Sequence, residues 1–174
     1  MPVHQILTNI LNSPSSLASA KILTVASIGI FAGQALAYNA IIMPALRTVS
    51  PEAALPIWAK SYTTGKNIQV SLILTSVLAG LPVYYKTQNV FFLIGPLVMA
   101  SIIPFTLAFI MPVNHRLLDI LEGKRYGKKG GEGNLSELYI KWDLLHFGRT
   151  VLSMGALGLT LYGSYSRHAL TMFK

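Results

Sequence analysis

The run Trp142-Asp143-Leu144-Leu145-His146-Phe147-Gly148-Arg149 concentrates more reactive side chains than any other part of the chain. On a helix, steps of three and four residues bring Trp142, His146 and Arg149 onto one stripe, with Asp143 one turn before His146. A carboxylate beside an imidazole fixes its tautomer and raises its basicity, which is what a general base requires. Arg149 stands deeper in an apolar stretch, where a guanidinium must snorkel, pair with an acid or bind an anion. A structural account covers two of these residues, with Asp143 as a helix cap and Trp142 as an interface anchor. It leaves the imidazole and the guanidinium unexplained.

Other polar groups lie where they could join the stripe. Asn114, His115 and Arg116 close one apolar stretch, while Pro44, Arg47 and Trp58 surround the end of another. Gln34 and Tyr38 are four residues apart and share a helical face, and Asn39 follows. The structural reading of this trio is hydrogen bonding between helices, with Gly29 and Gly33 as a small-residue packing surface. Prolines 96, 104 and 112 either kink their helix or open a cavity by leaving carbonyls without donors.

The elements that must position these groups follow from the gaps between charges. Residues 22–46, 67–85, 87–115 and 150–166 contain no Lys, Arg, Asp or Glu. A helix rises about 1.5 Å per residue, so roughly 20 apolar residues cross a hydrocarbon core of about 30 Å. The chain is therefore read as an all-α bundle of four transmembrane helices, near 21–45, 67–85, 89–112 and 144–165. No segment alternates with period two, which argues against a membrane barrel. Residues 1–20 form a polar lead-in, 21–165 the membrane domain and 166–174 a short tail. The first span is too long for a cleaved secretory signal and should remain as an anchor. Residues 46–66 read as a medium loop with helix-start signals at Ser50-Pro51-Glu52, and 123–134 as a flexible basic, glycine-rich connection. Lys21, Lys86, Arg167 and Lys174 fall on one side of the membrane. Arg47, Lys60, Lys66, Arg116, Lys124, Arg125, Lys128, Lys129 and Lys141 fall on the other. That asymmetry predicts a multi-pass endomembrane protein with both basic loops in the cytosol.

Composition excludes several classes. Of 174 residues, 52% are hydrophobic and only 11% charged, against about 25% charged in a soluble domain. A mean hydropathy of +0.53 agrees with lipid as part of the solvent. The net charge of +8 reflects basic residues flanking spans, and no nucleic-acid partner is expected. With no Cys there is no disulfide, thiolate nucleophile or iron–sulfur cluster. Asp143-x-x-His146 superficially matches the carboxylate–histidine step of di-iron bundles, but such sites need about four carboxylates. This chain has six acids, nearly all in segments read as loops, so no metal site is expected. No phosphate-binding or nicotinamide fingerprint is present.

The order Gly33…Pro44-Ala45-Leu46, Trp58, Pro104-Phe105-Thr106…Met111-Pro112-x-Asn114-x-x-Leu117 and Trp142-Asp143-x-Leu145-His146-x-x-Arg149 resembles the DUF1772 family, which includes the fungal anthrone oxygenases. The resemblance runs from about residue 25 to 160. It implies oxidation of a polyketide anthrone to an anthraquinone, with O₂ as co-substrate and neither flavin nor metal. On that reading His146 is the base and Asp143 its orienter, and Arg149 with Asn114 holds the oxyanion. Trp58, Phe105 and Trp142 stack on a small, planar aromatic polyketide. A non-catalytic membrane scaffold or accessory subunit is the alternative, distinguished by tolerance of conservative replacements at His146 and Arg149. Lipid is the expected surrounding, and homo-oligomerisation is left open.

Overall fold

The computed structural model describes residues 13–123 and 131–172. Every element among them is a helix: α1 (Pro14–Leu46), α2 (Pro51–Thr87), α3 (Phe91–Leu121) and α4 (Gly131–Met172). Each of the four contains a stretch long and apolar enough to cross a bilayer. In lipid a backbone must satisfy its own hydrogen bonds, so charge-free runs of this length have helix as their stable state. Large apolar side chains such as Leu78, Leu107, Val151 and Leu161 point outward, as a lipid-facing surface requires.

The helices outrun the charge-free windows. Residues 51–66, expected as loop, are the opening turns of α2. Ser50 caps them by accepting a hydrogen bond from the Ala53 N–H at 3.4 Å, with Pro51 at the first helical position and Glu52 in the first turn. Thirty-seven residues make α2 about 55 Å long, well beyond the hydrocarbon thickness. Its first turns therefore extend past the apolar slab and carry Trp58, Tyr62 and Lys66 to the end where α1 finishes and α4 begins. The α1 helix likewise starts at Pro14, within the stretch expected to be a lead-in. Residues 1–12, 124–130 and 173–174 lie outside the described residues, and with them most of the lead-in and of the glycine-rich connection.

Two apolar clusters stack along the bundle. One, at the end bearing the α1–α2 connection, gathers Met43, Leu55, Trp58, Val113, Leu117, Leu138 and Trp142. The other, nearer the middle of the spans, gathers Ile28, Phe31, Ile73, Met99, Ile102 and Ala156. Tight helix approach comes from Gly80, where a Cβ would strike the Pro96 ring, and from Gly95, which faces Thr160 Oγ1 and the Ala156 carbonyl. Gly29 and Gly33 do not supply this packing. A Cβ on Gly29 would only touch Leu157 at 3.7 Å, and Gly33 has nothing within 4 Å. At the opposite end Gln88, with φ 52°, turns the chain from α2 into α3, and Asn89 Nδ2 donates to the Gly163 carbonyl at 2.7 Å.

Two π-helical turns interrupt the bundle, Tyr38–Ile42 in α1 and Thr106–Ile110 in α3. Each precedes a proline by a turn or less, Pro44 and Pro112 respectively. A proline lacks the N–H that would bond four residues back, and its ring collides with that carbonyl, so the helix widens just before it. Pro112 thus acts on the backbone in the way that leaves room between helices, and the two widened turns flank the same region.

Candidate active site

Between the two apolar clusters lies a cleft of about 180 Å³, lined by residues of all four helices. Tyr38 comes from α1, and Tyr62, Lys66, Gln69 and Ile73 from α2. Ile102, Thr106 and Met111 come from α3, and Trp142, His146 and Arg149 from α4. The α4 stripe therefore faces one cavity, as the spacing of Trp142, His146 and Arg149 predicts. His146 is 1% and Arg149 8% exposed, so both polar groups are held inside the bundle.

The hydrogen bonds around His146 fix its chemistry. Asn39 Nδ2 donates to Asp143 Oδ1 at 2.6 Å and to the Asp143 carbonyl at 3.0 Å. Both partners can only accept, so the orientation of the Asn39 amide is set. Its Oδ1 then accepts from Thr150 Oγ1 at 2.7 Å and faces His146 Nδ1 at 3.3 Å. Nδ1 must carry the proton, which leaves Nε2 with the lone pair. Asp143 completes its own shell through a 2.5 Å ion pair with Arg47. The expected direct contact of Asp143 with His146 is not made. Asp143 orients Asn39, and Asn39 orients the imidazole, because the π turn of α1 wedges that amide between the two α4 residues. The imidazole is also held from the sides, stacked on Trp142 at 4.7 Å and 5.1 Å from the Tyr38 ring.

Arg149 has an unusual set of partners for a buried cation. Its Nη2 donates to Gln69 Oε1 at 2.5 Å, and the guanidinium lies 5.5 Å from the centre of the Phe31 ring. Among the described residues no carboxylate pairs with it. Its Nε, together with Gln69 Nε2 and Thr106 Oγ1, is buried without a hydrogen-bond partner. A charge kept from water costs several kcal/mol unless a counter-ion and donors compensate it. A guanidinium Nε–H, an amide N–H₂ and a hydroxyl left unsatisfied around one apolar cleft suit a ligand that brings oxygen acceptors and negative charge.

The remaining expected site residues stand behind this first layer. Asn114 is fully buried and accepts from Trp142 Nε1 at 2.8 Å. It holds the indole in place and does not line the cleft with Arg149. Trp58 is fully buried, stacked on Tyr62 at 5.4 Å and edge-on to Trp142 at 5.9 Å. Tyr62 presents the aromatic face at the wall where Trp58 was expected. Phe105 packs against Phe109 and over Gly148, because the π turn that follows it directs Thr106 to the cleft. Sequence reasoning missed Tyr62, Lys66 and Gln69, whose spacing of four and three is a helical stripe once residues 51–66 are recognised as helix. Gln69 also carried a signal of its own, as an amide inside an apolar span. Among the described residues no three His, Asp or Glu side chains converge.

Fold and site together define a four-span helical membrane protein with an oriented imidazole and a buried guanidinium in one apolar cleft. A family model described as anthrone oxygenase matches residues 58–159, which take in most of the cleft. The chain is also similar to the anthrone oxygenase AgnL2 of Paecilomyces divaricatus, with 25% identity over 163 residues, covering 84% of this chain and 99% of that protein. No solved structure matches. The chain belongs to the anthrone oxygenase family.

Proposed function

We propose that this protein oxidises the methylene of a polyketide anthrone to a ketone with O₂, giving an anthraquinone. The observation that carries the reading is the pairing of His146, whose Nε2 is free to accept a proton, with an Arg149 that lacks a carboxylate, in one apolar cleft. The methylene between two aryl rings is acidic because its conjugate base is an aromatic aryloxide. His146 Nε2 takes that proton, and the negative charge moves to the ring oxygen beside Arg149 and Gln69. The anion passes one electron to O₂, and the resulting carbon radical and superoxide combine at the former methylene. The peroxide takes up a proton, then loses the second methylene hydrogen as H⁺ while the O–O bond breaks and hydroxide leaves. The net change is CH₂ plus O₂ to C=O plus H₂O. The substrate itself supplies the electrons, so the step requires no flavin or metal. Trp142 and Tyr62 bound the slot for the flat tricycle, with Asn39 and Asp143 as positioning residues. The basic residues at the site end of the bundle favour an endomembrane protein with that end in the cytosol.

The test is turnover of emodin anthrone by membranes or detergent-purified protein, following quinone absorbance and O₂ uptake with autoxidation subtracted. Wild type should exceed the background with and without a chelator, and His146→Ala should lower turnover by about 10²–10⁴-fold. Wild-type membranes at the autoxidation rate would overturn the reading in favour of a scaffold. Activity lost in chelator and regained with iron or copper would overturn the cofactor-free mechanism.

A further inference from the structure

Lys66 is the one charged group among those lining the cleft that the chemistry above leaves unused. It lies on the same α2 stripe as Gln69, one turn nearer the start of the helix, and its ammonium stands 5.6 Å from the centre of the Tyr62 ring. Among the described residues no carboxylate pairs with it. Two of its neighbours on the cleft are exposed on the outer face of the bundle, Val70 at 47% and Leu107 at 58%. Further along, the cleft is walled by Ile73, Ile102 and Ile103. The cavity therefore has a polarity gradient, with an apolar end towards the middle of the bilayer, Arg149 and His146 beside it, and a second cation at the outer rim. A flat substrate seated with its reacting carbon at His146 and its apolar ring against the isoleucines would present its opposite ring to Lys66.

We infer that Lys66 is a specificity-determining residue that recognises a carboxylate on the ring of the substrate remote from the apolar end. The inference rests on the oxidation proposed above, since that chemistry orients the tricycle in the cleft. An ammonium at the rim suits a carboxylate because it is a compact point charge with three donors, and a charge-assisted hydrogen bond is stronger than a neutral one. A lysine that merely snorkelled to the headgroups would not distinguish substrates.

The experiment uses full-length wild type, Lys66→Gln and Lys66→Arg in lipid nanodiscs. The substrates are two anthrones that differ only in one ring carboxylate, and binding of the two corresponding quinones is followed by quenching of tryptophan fluorescence. For Lys66→Gln, KM for the carboxylated anthrone and Kd for its quinone should rise about five- to tenfold. The values for the uncarboxylated pair should stay unchanged, and Lys66→Arg should recover most of the loss. A Lys66→Gln effect equal on both pairs, or absent from both, overturns the inference. Failure of the oxidation reading is separable, because it would abolish turnover of both anthrones by wild type while the quinone affinities still report on Lys66.

Discussion

Replacing Asn39 with Ala tests the hydrogen-bond relay directly. The substitution deletes two bonds to Asp143, one from Thr150 and the contact with His146 Nδ1. Polar contacts between membrane helices average about 0.6 kcal/mol each, so the four together amount to about 2.4 kcal/mol of stability. That loss should be visible as a lower unfolding midpoint in detergent. The kinetic effect has a different origin. Without Asn39 Oδ1 nothing holds the proton on Nδ1, so His146 samples both tautomers and more than one ring orientation. Misplacing a general base costs less than deleting it, and the expected fall in kcat is about 10–100-fold, or about 1.4–2.7 kcal/mol in the barrier. The assay is a double-mutant cycle on quinone formation with Asn39→Ala, His146→Ala and the pair, at matched amounts of folded protein. If Asn39 acts through His146, the pair should be no slower than His146→Ala alone. Losses that simply add would show that Asn39 supports the fold and not the base, and the relay would have to be abandoned.

Arg149→Lys keeps the charge but cannot hold Gln69 and a substrate oxygen in one plane, so kcat/KM should fall by about tenfold or more while the protein still extracts as a folded species; unchanged kinetics would remove Arg149 from oxyanion binding. Gly95→Ala drives a methyl into Thr160 Oγ1 and to 3.3 Å from the Ala156 carbonyl. Overpacking of this kind costs about 1–3 kcal/mol, and an unchanged unfolding midpoint would contradict the close α3–α4 approach. Asn134-Leu135-Ser136, at the start of α4, is an N-glycosylation sequon. With the site end of the bundle in the cytosol it should stay unmodified in a eukaryotic host, whereas a glycosidase-sensitive mass shift abolished by Asn134→Gln would reverse the orientation.

The number of spans and the end of the bundle where polar groups gather are legible in the chain itself. Both depend on quantities local in sequence, the length of a charge-free run and the positions of Lys and Arg beside it. The same locality explains why the His146–Arg149 stripe could be placed on one face of α4 before any neighbour was known, since the 3.6-residue period alone aligns them. The extent of α2 escaped that reading because Lys60 and Lys66 interrupt the apolar pattern, although a helix tolerates charges where it leaves the bilayer.

The partners of these residues were decided by tertiary structure. Asn39 and His146 are 107 positions apart, and which atoms meet depends on how each helix is rotated about its axis. A π turn inserts one residue and so rotates everything beyond it by about 100°. The two proline-adjacent turns of α1 and α3 thereby bring Asn39 between Asp143 and His146 and direct Thr106 into the cleft. Asn114 and Trp58, whose residue types suit a site, ended behind Trp142 and Tyr62 because of how α3 and α2 are each rotated about their axes in the packed bundle. Sequence period fixes which residues share a face, but only the packed bundle determines what that face meets.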